Sequence, residues 1–410
     1  MEIRALKEKR ILLGITGSIA CYKSVDLASK LTQAGAEVDI VMTGSAMKFV
    51  QPLSLRSVTG RPVYSDMWEQ DVHVLHVQLA EAADLVIVAP ATAHTIAKLA
   101  HGLADNLLTV SILAARTPLI LAPAMDTGMY DNPATSGNIS ILKERGVIIA
   151  GPAEGRMASG LTGLGRMLEP AELVDHIVHT LTREGPLQNK KVIVTAGPTH
   201  EPIDPVRYLT NRSTGRQGAA LAQAARDAGA DVTLISGPTS LKIPLGIELI
   251  DVRTASEMKE AVLNRVMDCD LLLMAAAVSD YRPAVYKEDK IKKGAELDSG
   301  LTLELVRNPD ILNAVQKMRQ EEGRGPAVVL GFAAETSNII DNGEMKLIQK
   351  GLDFIAINDV SKVDSGFAAD TNRVILLSRD GRNWDLPLQS KSLIAEKIID
   401  IVSEELFDRG

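Results

Sequence analysis

Apolar runs and helix-spaced stretches alternate along the whole chain. The first run, ILLGITG (11–17), is followed by SIACYKSVDLASKLTQAG, whose apolar positions recur at helical spacing, and then by a second run, AEVDIVMT (36–43). Strand, helix and strand at these lengths predict a βαβ unit, and hence parallel strands. Further runs stand at DLVIVAPAT (84–92), PLILAPAM (118–125) and VIIAGP (147–152). They are nearly all apolar rather than alternating, the pattern of strands covered by helices on both faces. The helical stretch EPAELVDHIVHTLTR closes this series, and the polar REGPLQNK (183–190) interrupts it with Gly-Pro.

The programme then restarts. KKVIVTAGPT (190–199) echoes KRILLGITG, GADVTLISGP (229–238) echoes GAEVDIVMTG, and CDLLLMAAA (269–277) echoes ADLVIVAPA. AVVLGFAAET (327–336), DFIAIND (353–359), RVILLSRDG (373–381) and a helical tail from Ser390 complete it. Convergence and ancient duplication both account for the echoes. Either way the pattern predicts two doubly wound α/β domains with Rossmann-like parallel sheets, residues 1–189 and 190–410. A length of 410 residues agrees, since single cores stop growing well below that.

Composition narrows the function. Net charge is −8 with no basic run, and aromatics are only 3%, which argues against nucleic acid. No uninterrupted apolar stretch is long enough for a membrane span, and MEIRALKEKR carries no apolar signal region. Cys21 and Cys269 make neither a disulfide framework nor a zinc site. These features lead us to expect a cytoplasmic small-molecule enzyme. In open parallel sheets ligands sit beyond the carboxyl ends of strands, and the polar and glycine-rich oddities fall at such ends.

In the first half, GITGSIA (14–20) lacks the dinucleotide fingerprint, but Ser18 as an N-cap and the N–H groups of Gly17 to Ala20 suit one phosphate. Thr43 and Thr92 end strands that face the same crevice. If DVHVLHVQLAEAAD is helical, His73 and His76 share a face, and a single base at His76 is favoured over metal ligation. Asp126 in PAMDTGMY lies just past a strand, and GRMASGLTGLGRM (155–167) reads as a flap over a ligand.

These stretches, with APATAHTIAKLAHGLADNLLT, resemble the flavin-dependent cysteine decarboxylase family. The similarity is greatest to the amino-terminal half of bifunctional phosphopantothenoylcysteine decarboxylase/phosphopantothenate-cysteine ligases (Dfp family) of coenzyme A biosynthesis. The resemblance implies a flavodoxin-like flavoprotein domain with FMN at Gly17, Ser18 and Ile19 and near Thr43 and Thr92. It also implies His76 as the base. The family usually has asparagine where Asp126 stands, cysteine as the acid where Ser159 stands, and more often asparagine at His94. Asp126 must then be protonated, paired or repositioned.

In the second half, TAGPTHEPIDPVRYLTNRSTGRQG (195–218) clusters Arg207, Asn211, Arg212 and Arg216 beside a helix start, a setting for phosphate or carboxylate. MAAAVSDYRP, KEDKIKKG, NPDI and GFAAET mark further strand or helix ends. These stretches resemble the ligase half of the same family. The resemblance implies Asn211 and Lys290 at the acyl-nucleotide intermediate, and Arg207 and Arg212 at the substrate anions. It implies Asp280, Lys290, Asn308, Pro309, Asp310, Ile311, Phe332, Lys346 and Lys350 at CTP. Magnesium is implied too, bound by Asp280 directly or through the nucleotide. The substrates so implied are 4'-phosphopantothenate, cysteine and CTP. The implied assembly is a homo-oligomer, with trimer contacts through the flavin domain, dimer contacts through the ligase domain, and a dodecamer when both form. Two other readings stay open: an active ligase with a catalytically weak flavin-binding domain, and a flavin-binding regulatory subunit.

Overall fold

The computed structural model describes residues 3–68, 74–292, 301–335, 338–359 and 369–408. The chain divides into two compact units, 1–181 and 182–410. Leu187, within the polar segment that separates the two programmes, is fully buried in the core of the second unit, and its N–H donates to Ala228 O at 2.7 Å.

The first unit is built on six parallel strands: β1 (Arg10–Ile15), β2 (Glu37–Met42), β3 (Val63–Tyr64), β4 (Leu85–Ala91), β5 (Leu119–Pro123) and β6 (Ile148–Ile149). Their spatial order is β3-β2-β1-β4-β5-β6. Side chains alternate along a strand, so β1 feeds two cores. Ile11, Leu13 and Ile15 pack with Leu27 and Leu31 of helix Cys21–Gln33 and with Leu173 and Ile177 of helix Pro170–Leu181. Leu12 packs on the other face with Leu79, Ile96 and Leu108. Every residue of β4 is buried, as expected of a central strand covered on both sides. Each fully buried Leu or Ile contributes roughly 1.5–3 kcal/mol relative to exposure. The predicted flap is an antiparallel hairpin of β7 (Ala153–Arg156) and β8 (Thr162–Arg166).

The second unit holds an eight-stranded sheet interrupted by two small hairpins. Its strands, in chain order, begin with β9 (Lys191–Ala196) and then the hairpin β10 (His200–Pro202) and β11 (Tyr208–Thr210). Next come β12 (Asp231–Ser236), β13 (Ile247–Asp251), β14 (Leu271–Met274) and the hairpin β15 (Tyr281–Pro283) and β16 (Leu305–Arg307). β17 (Val328–Glu335), β18 (Phe354–Asp359), β19 (Thr371–Ser378) and β20 (Asn383–Ser390) complete the set. The main sheet runs β13-β12-β9-β14-β17-β18-β19-β20.

The strands from β13 to β18 pair in parallel, while β19 and β20 are antiparallel to their neighbours. This departs from a wholly parallel sheet. Between β19 and β20, residues 379–382 form a turn closed by Gly381 N donating to Ser378 O at 3.1 Å, so the chain reverses there at once instead of crossing over. The tail helix, Lys391–Asp408, packs Ile394, Ile398 and Val402 into the core over this end of the sheet. Among the described residues, no helix is long and apolar enough to cross a membrane.

Candidate active sites

In the first unit, the strand order reverses direction between β1 and β4, the point at which open α/β sheets take their ligands, and loops leave both strands there. They are tied together. Thr16 Oγ1 donates to Pro90 O at 2.7 Å and accepts from Thr92 N at 3.1 Å. Thr92 caps helix Ala93–His101. Thr43, after β2, accepts from Ala46 N through its hydroxyl at 3.3 Å. Gly17 lies so close to that loop that an added Cβ would stand 2.4 Å from Ser45 Cβ. Ser18 is not the helix N-cap. The helix begins at Cys21 with Ala20 before it, and the Ser18 hydroxyl accepts from Ala20 N at 3.3 Å within the preceding turn. Ile19 stands 62% exposed at this mouth.

On the far side of β5, Asp126 caps the one-turn helix Thr127–Tyr130, accepting from Gly128 N at 3.1 Å. Its other oxygen accepts from Ser159 Oγ at 2.5 Å, across from the hairpin tip. The Ser159 hydroxyl, and then the Gly128 N–H, hold the Asp126 carboxyl below the usual carboxylate range. Met125 N donates to Gly165 O at 3.0 Å, and Thr127 Oγ1 lies 3.5 Å from Met157 Sδ, so β8 and the tip both rest on this loop. His76 is half-buried in the first turn of helix Leu75–Ala82; His73 lies outside the described residues.

In the second unit, a cavity of about 840 Å³ opens beyond the carboxyl ends of β14, β17 and β18, a volume suited to substrate-sized ligands. One wall is the loop 213–215 and the start of helix Arg216–Asp227. That helix sits close on β9 because Gly218 has no side chain: an added Cβ would stand 2.5 Å from Ala196 Cβ. Asn211 lines the cavity and donates through Nδ2 to Ala277 O (3.1 Å) and Val278 O (3.2 Å). Asp280 and Asn308 follow at the next edge. Asn308 N donates to Asp280 O at 2.8 Å, and Asn308 Nδ2 to Ser279 O at 2.8 Å. Pro309, Asp310 and Ile311 lead into helix Ile311–Glu322, which Asp310 caps. Phe332 on β17 lines the floor, and Lys346 and Lys350 reach the cavity from helix Ile339–Gln349 and its end. Both lysines are paired, Lys346 with Glu335 at 2.6 Å and Lys350 with Asp310.

Three expected site residues lie outside the cavity lining: Arg207, Arg212 and Lys290. Arg207 is turned inward on Asp204, with Nη2 2.6 Å from Oδ2, and also donates to Ile291 O at 2.9 Å. The Asp204 carboxyl is buried and accepts as well from the backbone N–H of Val206, Arg207 and Ile291. Arg207, then these amides, hold it far below the usual carboxylate range. Arg212 and Lys290 are exposed. Lys293, from the same lysine-rich stretch, lies outside the described residues.

Comparison with known proteins decides the family. Residues 2–182 match the model "Flavoprotein", and residues 187–406 match "DNA/pantothenate metabolism flavoprotein C-terminal domain". The chain is 43% identical to the coenzyme A biosynthesis bifunctional protein CoaBC of Vibrio cholerae, over 98% of this chain and all of that one. It is 44% identical to the protein of that name from Bacillus subtilis, over 97% of each. A solved C-terminal domain of a CoaBC protein is 35% identical, covering 55% of this chain and all of that one with a TM-score of 0.46. The chain belongs to the CoaBC family. As a member, it is a bifunctional enzyme of coenzyme A biosynthesis, a ligase and a decarboxylase, and its first unit has the FMN-binding flavoprotein fold.

The β1/β4 crevice fits FMN. Its neighbouring loops carry the backbone N–H groups of Gly17–Ile19 and the hydroxyls of Thr43 and Thr92, donor chemistry that suits a phosphate, and exposed Ile19 offers an apolar surface. The second cavity also has walls that sequence reasoning did not single out: Gln217, Asn358, Asn372 and Lys391. No local motif marks them. They meet only because β18 ends, and β19 and the tail helix begin, where helix Arg216–Asp227 begins.

Proposed function

We propose that the second unit joins cysteine to 4'-phosphopantothenate using CTP, and that the first decarboxylates the adduct to 4'-phosphopantetheine with FMN. The observation that carries the ligase assignment is the convergence of Asn211, Asp280, Asn308–Ile311, Phe332, Lys346 and Lys350 on one cavity, from motifs far apart in sequence. In the first step the pantothenate carboxylate attacks the α-phosphate of CTP and pyrophosphate leaves. In the second the cysteine amine attacks the acyl-cytidylate, CMP leaves, and the nitrogen gives up its excess protons. Lys346 and Lys350 would exchange their carboxylate partners for phosphate oxygens and offset charge there. Arg207, Arg212 and Lys290 act from the rim, on substrate anions and on the intermediate. Among the described residues no three acids, histidines or cysteines converge to hold a metal. Asp280 with nucleotide phosphates and water suits magnesium, which commonly keeps such a mixed shell.

FMN, when bound, supplies a reversible two-electron acceptor for the carbon that carries the thiol. His76 serves as the base near the thiol. Asp126, ionised and capped by Ser159, keeps the flap tip seated, and its charge repels the carboxylate that leaves as carbon dioxide. Ser159 points its proton at Asp126, so the proton that completes the product enters from solvent at the exposed tip. That same bond favours a second reading, in which the first unit binds FMN but turns over slowly. Incubation with 4'-phosphopantothenate, cysteine, CTP and magnesium separates them by product mass: 4'-phosphopantetheine supports the first, accumulated cysteine adduct the second.

The assembly we infer is a homo-oligomer, with trimer contacts through the first unit, dimer contacts through the second and a dodecamer when both form. Exposed Ile19 and Phe49, on the two chain segments that touch at Gly17 and Ser45, and exposed Tyr22 and Leu53, in the helices that follow them, support the first contact. Light-scattering mass of the purified chain tests it; a monomer would contradict it.

A further inference from the structure

The carboxyl of Asp204 does more than its own turn requires. Residues 203–207 join β10 to β11, and Ile203 N closes the turn by donating to Arg207 O at 2.9 Å. Asp204 Oδ1 completes it, accepting from Val206 N at 2.9 Å and Arg207 N at 2.8 Å. The other oxygen serves a different part of the chain. Oδ2 accepts from Ile291 N at 3.1 Å, and from Nε and Nη2 of Arg207 at 3.0 and 2.6 Å. Arg207 Nη2 also donates to Ile291 O at 2.9 Å. One ion pair thus holds both polar groups of the Ile291 backbone, 87 positions from Asp204. Lys287 N donates to Ile203 O at 3.0 Å, so the lysine-rich segment meets the turn at two points.

What is held stands beside Lys290. That lysine is exposed, and its long side chain has many rotamers. Fixing the next peptide removes the backbone freedom and leaves only the side chain to be ordered. From the same turn, the three residues of β11 lead to Asn211, whose Nδ2 is fixed on Ala277 O and Val278 O. One carboxylate therefore links the two residues that the ligase reading assigns to the acyl-nucleotide. The Asp204 side chain is fully buried, which is unfavourable for a charge unless it is paired and hydrogen-bonded. The turn alone needs only Oδ1.

We propose that Asp204 is a positioning residue of the ligase, which through Arg207 and the Ile291 peptide sets where Lys290 stands relative to Asn211. The proposal rests on the ligase reading above. The count of acceptors requires aspartate here. Asparagine has one acceptor oxygen and an NH2 group that only donates. With that oxygen on the turn, the NH2 group faces the Ile291 N–H and the Arg207 guanidinium, donors against donors. With the amide reversed, the turn loses its two bonds.

Exchange of pyrophosphate into CTP, dependent on 4'-phosphopantothenate and run without cysteine, reports formation of the intermediate. Asp204→Asn should lower its maximal rate about 10- to 100-fold, the scale of a misplaced catalytic group. Lys290→Met should lower it at least as much. The two together should lose little more than Lys290→Met alone, because both act through one group. A merely structural role would multiply the losses. Limited trypsin digestion read by mass is a second measure. Relative to cuts elsewhere, the Lys290–Ile291 bond should be cut about tenfold faster in Asp204→Asn, as a lost charge-assisted bond raises the open population. Should Asp204→Asn not fold, Ile291→Pro removes the held N–H and leaves Asp204 in place. It must show the same loss and the same lack of addition to Lys290→Met, while Ile291→Ala, which keeps both backbone groups, must not. Undiminished exchange in Asp204→Asn or in Lys290→Met, losses that multiply, or an unchanged cutting rate at Lys290–Ile291 overturns the proposal. Absence of exchange in the unaltered enzyme would strike the ligase reading itself.

Discussion

Of the three positions at which the resemblance implies other residues, Asp126, Ser159 and His94, the fold joins the first two through one 2.5 Å hydrogen bond. Thirty-three positions separate them, so no sequence motif reveals the pairing; each residue was legible as unusual, but not the link. The bond sets the charge of Asp126: a hydroxyl donor stabilises the carboxylate and keeps it ionised. Because the folded pKa of Asp126 is lowered, the bond is intact above the ordinary carboxylate value of about 3.9 and is lost as pH falls through the lowered one. NMR titration of the Asp126 carboxyl should give a midpoint below that value, and Ser159→Ala should return it toward ordinary. An unshifted midpoint in the unaltered protein would remove the pair from the account. Asp204 follows the same sign at a buried site. Its contribution to stability is present at neutral pH and lost in acid, so Asp204→Asn should lower the melting temperature at pH 7 and flatten its dependence on pH below about 4. Calorimetry at several pH values reads both.

At the scale of elements, the all-apolar runs were the most legible feature. β4 is buried at every residue, and β1 divides its side chains between two cores, as the pattern requires. The direction of β19 was not legible, because an apolar run states that a strand is buried and not which way its partner points. Nor was the start of the first helix. Ser18 has the chemistry of an N-cap, but the chain makes one further turn before Cys21, and the hydroxyl serves that turn instead. The close approach of the β1 and β2 loops has a direct consequence. Gly17→Ala places a methyl group 2.4 Å from Ser45 Cβ, so one loop must move away from the phosphate position. Flavin bound per chain, read from visible absorbance, should fall by more than about tenfold in affinity, since overpacking typically costs 1–3 kcal/mol. Ser45→Gly in the same chain should restore it. Full flavin content in Gly17→Ala would contradict this placement of the site.

For the whole molecule, the two programmes of the sequence correspond to two units with separate cores, each with its site beyond strand carboxyl ends. The ligase comes second in the chain and first in the chemistry. The second cavity was only half legible. Asn211, Asp280, Asn308–Ile311 and Phe332 stand in motifs that carry their own signature, whereas Asn358, Asn372 and Lys391 are isolated polar residues gathered by topology. Separate sites predict separable reactions. Protein stripped of flavin should still release CMP and accumulate the cysteine adduct. The most direct measurement supplies the flavin-loaded protein with 4'-phosphopantothenate, cysteine, CTP and magnesium and resolves the products by mass over time. The account predicts CMP and pyrophosphate in step with the cysteine adduct, followed by its conversion to 4'-phosphopantetheine. An adduct that persists with flavin bound, or no CMP at all, would contradict it.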